Sequence, residues 1–244
     1  LSVITTGFPQ YDLVSHITGE FADVKMLLKL GTEAHSFEPT PQDLVNIDKS
    51  NLFVYNGGEN DEWVDNFLEG LDKKVNTIAF LDLVKAIPEE TVEGMQHKHS
   101  ENDEEHEMDE HVWTDPHNCI TILRALCKKL AMLDPEHAEL FRSNTESYIK
   151  EFEQLDENYR AIIGSASTRT MVFGDRFPLL YFAKAYSLSY YAAFKGCSNE
   201  TEVSAATIKF LIDKVLELKS PVILKIELTS PAIAESVAEV TGAK

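Results

Sequence analysis

The chain has 244 residues and 27.5 kDa, with 43% hydrophobic and 26% charged residues, a balance that argues against wholesale disorder. Twenty-two Lys and Arg face 41 Asp and Glu, a formal net charge of −19. That excludes nucleic-acid binding through a basic face and disfavours docking on an anionic membrane, while leaving cations as compatible ligands.

The chain opens at Leu1 without Met and without a basic leader or signal core, as expected of a mature or trimmed product. No stretch approaches the roughly 18–20 uninterrupted apolar residues of a membrane span. Ser2 to Thr6, β-branched and apolar, predicts a buried strand. A helix is predicted over Phe8 to Thr18 with Gly19 as its stop, and a second strand over Val24 to Leu30. After the loop Gly31 to Pro39, Thr40-Pro41 opens a helix with Thr as N-cap and Pro at the first helical position. Strands over Asn51 to Asn56 and Val75 to Ala79 bracket a helix over Asp61 to Leu71. This alternation predicts a parallel sheet wrapped by helices.

The stretch from Pro88 to Glu110 breaks the pattern. Glu89 to Glu110 holds ten acidic residues, Lys98, and the histidines His97, His99 and His106. Like charges at that density repel, which predicts a mobile loop that could either gather cations or simply solubilise the fold. Asp115-Pro116 and Asp134-Pro135 then start two helices, the second running to Gly164 over roughly 45 Å. Beyond it, strands over Thr170 to Gly174, Tyr190 to Phe194 and Val222 to Ile226 alternate with helices over Phe177 to Tyr186, Ser204 to Leu218 and Pro231 to Val240. The organisation expected is therefore an N-terminal α/β lobe over 1–134 carrying the acidic His-rich loop at 88–110, a linking helix over 135–164, and a C-terminal α/β lobe over 165–244 that looks one strand short.

Cys119 and Cys127 lie eight residues apart on one predicted helix, about 12 Å, too far for a disulfide. Cys197 could pair only through tertiary contact. No nucleophile elbow, phosphate loop or dinucleotide fingerprint occurs. What stands out is histidine and carboxylate at strand ends, where open α/β sheets bind ligands. His35 follows the second strand, and a neutral imidazole there suits a borderline metal; the plain alternative is an exposed loop histidine. His111 begins a short extended run before a helix, or is merely the last of the acidic tract. Asp175 follows Met171-Val172-Phe173-Gly174, either as a ligand or as a helix N-cap. Glu200, Glu202 and Glu227 occupy comparable strand-end places.

The segment Gly31 to Asp43, GTEAHSFEPTPQD, resembles the His-x-x-Glu-Pro-Thr-Pro segment of the zinc- and manganese-binding solute receptors of bacterial ABC importers, the cluster A-I or cluster 9 family, zinc-uptake type. Tyr55-Asn56-Gly57-Gly58, Glu110 to Pro116 (EHVWTDP), Phe173 to Phe177 (FGDRF), Tyr191 to Ser198 and Thr241-Gly242-Ala243-Lys244 continue the likeness in order. The resemblance implies two α/β lobes joined by one long backbone helix, with metal held between them. It implies His35 and His111 as ligands from the first lobe and places the third ligand, His or Glu in the family, at Asp175. The family's fourth ligand lies beyond the Thr-Gly-Ala-Lys segment, so it is expected outside this chain, with Glu227 and Glu202 as substitutes to test and the C-terminal lobe expected to be truncated. The partner of Cys197 is expected there too.

The reading implied is a monomeric extracytoplasmic receptor, periplasmic or a cell-surface lipoprotein, that is not an enzyme. It captures a divalent transition metal and hands it to an ABC permease. Two imidazoles and a carboxylate suit zinc in a tetrahedral site; a carboxylate at the third place also suits manganese. The competing reading is a metal-dependent hydrolase with an open water position on His35, His111 and Asp175, though no HExxH helix accompanies it. A surface adhesin is a third option, without an adhesive patch to support it.

Overall fold

Four short parallel strands form the N-terminal sheet: β1 (Ser2–Thr5), β2 (Asp23–Met26), β3 (Leu52–Tyr55) and β4 (Thr77–Ala79), in the order β2-β1-β3-β4. The computed structural model describes residues 1–29, 31, 37–71, 74–95, 107–198, 203–227 and 229–244. Strands β1 and β3 are central and covered on both faces, so they are continuous apolar runs: Val3, Leu52, Phe53 and Val54 are fully buried. β2 lies at an edge and alternates between exposed and half-buried positions. It is shorter than the sequence predicts, but the amides of Leu27 and Leu28 still donate to the carbonyls of Thr5 and Thr6, both at 2.9 Å.

Helices α1 (Phe8–Thr18), α2 (Pro41–Lys49) and α3 (Glu62–Glu69) follow the strands, and α4 (Pro116–Leu133) and α5 (Ala138–Ser165) complete the central part of the chain. The start of α2 is fixed by reciprocal capping. The Thr40 hydroxyl accepts from the Asp43 amide at 3.3 Å, and Oδ2 of Asp43 accepts from the Thr40 amide at 2.9 Å. Asp115 caps α4 by accepting from the His117 amide at 2.9 Å. α4 buries Cys119, Ile122, Leu123, Leu126, Cys127 and Leu130, a stripe at helical spacing, and packs against α1. Tyr148 of α5 donates to Asp12 of α1 at 2.6 Å, and Asn144 donates to the Ile17 carbonyl at 3.0 Å.

In the C-terminal part β5 (Thr170–Arg176) and β6 (Ser189–Phe194) pair in parallel, flanked by α6 (Leu180–Tyr186), α7 (Ala205–Leu218) and α8 (Ala232–Thr241). The strand predicted over Val222 to Ile226 is reduced to one parallel bridge, Phe173 with Leu224. Its neighbours bond elsewhere: the Ile223 amide donates to the Lys244 carbonyl at 3.0 Å, and the Ile226 amide to Oδ2 of Asp175 at 3.3 Å. One cluster joins Val172, Phe194, Leu211, Val215, Ala234 and Val237; another joins Met95, Phe173, Phe177, Leu180, Tyr190 and Ala192. Phe177 stacks on Tyr190 with ring centroids 3.5 Å apart and planes 6° apart. Gly174 leaves room for α8, since a Cβ there would lie 2.6 Å from the Cα of Ala234.

The described residues divide into two compact units, Leu1–Ala86 with Asp115–Tyr159, and Ile87–Thr114 with Arg160–Lys244. The acid-rich segment thus packs with the C-terminal unit. Its described ends make contacts of their own. Pro88 and Met108 form an antiparallel bridge, the Glu89 amide donates to the Glu107 carbonyl at 2.8 Å, and Met95 is buried. Ile87, Val92 and Met95, set among the acids, supply the apolar contacts that outweigh the repulsion at these ends. Residues 96–106, with His97, His99 and His106, lie outside the described residues.

Candidate metal centre

His111 lies in a buried polar run, Asp109-Glu110-His111, whose members are at most 7% exposed. Burying three such side chains in a row is costly unless each is bonded. Oδ1 of Asp109 accepts from the His111 amide at 2.9 Å and faces ring Nδ1 at 3.3 Å. The His111 carbonyl accepts from the Thr114 amide at 3.1 Å and from its hydroxyl at 2.8 Å, closing a single 3-10 turn over Val112–Thr114. Trp113 stands against the imidazole with ring centroids 5.5 Å apart.

Asp109 is itself anchored. Its amide donates to the Ile87 carbonyl at 2.9 Å, and its carbonyl accepts from the Tyr181 hydroxyl at 3.0 Å; that hydroxyl in turn accepts from the Ile87 amide at 3.2 Å. Burial pushes the Tyr181 hydroxyl up to about 12. Oε1 of Glu89 accepts from the Cys197 amide at 2.6 Å, while Oε2 of Glu89 and Oδ2 of Asp109 are buried without a hydrogen-bond partner among the described residues. Burial raises the Glu89 carboxyl above the usual carboxylate range, assisted by Asp109. Burial, then the neighbouring carboxylates of Glu89, Glu110 and Asp109, keep the Cys197 thiol protonated, with its Sγ 3.9 Å from His111 Nδ1. Gly196 is the residue that lets these groups close up: a Cβ there would lie 2.7 Å from the Phe177 carbonyl oxygen and 3.1 Å from Oδ2 of Asp109.

Asp175 is 6% exposed near the end of β5. Oδ1 accepts from the Arg176 amide at 2.8 Å, and Oδ2 accepts from the Ile226 amide and from the Thr229 hydroxyl. A carboxylate offers about four lone-pair sites, so these bonds orient it and leave capacity for a cation. Asp175 does not cap α6, which begins at Leu180. Glu227 is exposed.

His111 and Asp175 belong to the same unit. His35, Glu200 and Glu202 lie outside the described residues, and among the described residues no group of three or more His, Cys, Asp or Glu side chains is placed to hold a metal. The sequence draws attention to His111 but not to Asp109, whose signal, an acid two residues before a histidine, is lost in the surrounding acidic tract. Tyr181 and Thr229 carry no local signal, because they reach their partners across 72 and 54 residues.

Parallel sheets flanked by helices, in two units, are also the architecture of solved metal-receptor structures. The Zn(II)-bound ZnuA-like domain of Streptococcus pneumoniae AdcA aligns over 100% of this chain and 85% of its own, with TM-score 0.79 and 28% identity. Residues 3–244 match the family described as ZnuA, zinc-uptake complex component A, periplasmic. The zinc-binding lipoprotein AdcA of S. pneumoniae strain R6 is 31% identical over 245 residues, covering 100% of this chain and 48% of that protein. The high-affinity zinc uptake system protein ZnuA of Bacillus subtilis strain 168 is 31% identical over 254 residues, covering 100% and 76%. The chain belongs to the ZnuA family, whose members are zinc-uptake components and not enzymes. It spans about half the length of the streptococcal relative.

Proposed function

We propose that this chain captures a divalent transition metal outside the cytoplasm and delivers it to an ABC permease, with zinc as the first cargo and manganese as the second. The observation that carries the reading is a buried imidazole, His111, bonded on its Nδ1 side to a buried carboxylate, in a chain that matches zinc-uptake components over residues 3–244. His35, His111 and Asp175 are the proposed ligands. Two imidazoles and a carboxylate make a donor set that zinc accepts in tetrahedral geometry. The affinity order of divalent metals places zinc above manganese at such a site. The chemistry is capture and release, with no covalent step.

The working form is proposed to be a monomeric periplasmic protein or a surface lipoprotein. Among the described residues no helix is long and apolar enough to cross a membrane. The family match lends nothing to the hydrolase alternative.

The test is elemental analysis of protein exposed to zinc and manganese together, alongside His35→Ala, His111→Ala and Asp175→Ala variants. One equivalent of zinc in the parent and a sharp loss in each variant is the result expected. Full zinc retention in all three would remove the reading.

A further inference from the structure

We infer that Asp109 is a positioning residue of the metal centre: its carboxylate holds the His111 ring with the proton on Nδ1, so that Nε2 is the donor offered to metal. The inference rests on the reading of His111 as a ligand and adds a residue that neither the family match nor the sequence motif assigns.

One oxygen, Oδ1 of Asp109, faces two atoms of the same residue, the His111 amide at 2.9 Å and ring Nδ1 at 3.3 Å. The amide bond constrains the main chain and the ring contact the side-chain torsions, so one acceptor acts on both. Asp109 is 1% exposed and His111 7%, and a buried carboxylate acceptor favours a proton on the nitrogen it faces. A histidine that donates one ring N–H to a carboxylate and binds metal through the other nitrogen has its tautomer and ring orientation fixed.

The carboxylate is held firmly enough to impose that orientation. Its main chain is bonded on both sides, to the Ile87 carbonyl and the Tyr181 hydroxyl, and Tyr181 is bonded to the Ile87 amide as well. Gly196 keeps the space beside Oδ2 narrow: a Cβ there would approach that oxygen to 3.1 Å. Sγ of Cys197 also lies near Nδ1, at 3.9 Å. A thiol is a weak acceptor and this one lies farther off, so the nearer carboxylate governs the ring.

The tautomer can be read without metal. Long-range proton–nitrogen correlation on the full-length, ¹⁵N-labelled, metal-free protein should show His111 protonated on Nδ1. Asp109→Ala should move the proton to Nε2, the form imidazole prefers in water. Asp109→Asn keeps an acceptor oxygen in place and should retain the Nδ1 proton. Zinc affinity, measured by competition with a chelating dye, should fall about 10–100-fold in Asp109→Ala, the range for lost outer partners, and less in Asp109→Asn. An Nε2 proton on His111 in the parent protein would overturn the inference. So would parent-like zinc affinity in Asp109→Asn together with an Nε2 proton. His111→Ala provides the separate control: undiminished zinc affinity there defeats His111 as a ligand, whatever tautomer the ring shows.

Discussion

The hydroxyl of Thr229 donates to Oδ2 of Asp175, tying the acid near the end of β5 to the turn that follows Ile226. The same oxygen accepts from the Ile226 amide, and the other oxygen from the Arg176 amide. A carboxylate held this way is aligned before any cation arrives, so less ordering is left for the binding step. Thr229→Val keeps the shape and removes the donor. Its stability to urea should fall by about 1 kcal/mol, the net worth of one hydrogen bond, and its zinc affinity should fall measurably. Unchanged zinc affinity in that variant would show that the bond orients no ligand.

Metal that binds only the folded chain stabilises it by mass action, by about 2.7 kcal/mol at one hundred times the dissociation constant. Zinc should therefore raise the melting temperature of the parent protein. His35→Ala should abolish the rise, and His111→Ala should do the same. Manganese at equal concentration should produce a smaller rise. Scanning calorimetry with and without each metal checks all of these. A parent-sized rise in His35→Ala would count against the N-terminal ligand.

Gly174→Ala tests why a glycine precedes the acid. A methyl group there would sit 2.6 Å from Cα, 2.7 Å from the amide nitrogen and 2.8 Å from Cβ of Ala234. Most of that obstacle is helix backbone, which cannot rotate aside as a side chain can. The variant should lose about 1–3 kcal/mol, the usual cost of overpacking, with α8 pushed away from β5. Chemical denaturation gives the magnitude, and amide exchange over 232–241 locates it.

Burial raises the Tyr181 hydroxyl to about 12 and the Cys119 thiol to about 12, from ordinary values of about 10 and 8.5. Both groups are neutral when protonated. As pH climbs past the ordinary values, the unfolded chain gives up these protons before the folded chain does. The unfolded state then binds fewer protons, so stability falls with rising pH and is lost through the folded values. Unfolding midpoints in urea should therefore drop steadily from about pH 9 to 12. Tyr181→Phe should be less stable at neutral pH, having lost the bonds to Asp109 and Ile87, and should show a shallower alkaline decline. An identical slope in that variant would place the sensitivity elsewhere.

The N-terminal sheet is legible because its central strands are buried on both faces and must be apolar throughout, and because Thr40-Pro41 and Asp115-Pro116 are strong helix starts. The third strand of the C-terminal unit is not legible in the same way. Val222 to Ile226 is apolar enough, but whether it forms a strand depends on where the amides of Ile223 and Ile226 find acceptors, and those acceptors are Lys244 and Asp175. Charge alone does not reveal that Ile87, Val92 and Met95, beside and within the acidic stretch, pack into the C-terminal unit. His111 and Asp175 are visible from their places beside a helix start and near a strand end. Of the groups that hold them, Thr229 becomes visible only through tertiary contact, and Asp109, two residues before His111, is masked by the acids around it.

Each unit is assembled from two separate stretches, 1–86 with 115–159 and 87–114 with 160–244. During synthesis the ribosome releases residues 87–114 well before their structural companions at 160–244 exist, and α4, which packs against α1, emerges between the two. Neither unit can finish folding before its second stretch has been made, and the piece bearing Asp109 and His111 waits longest. A nascent chain stalled shortly after residue 114 should thus be open to proteases along most of its length.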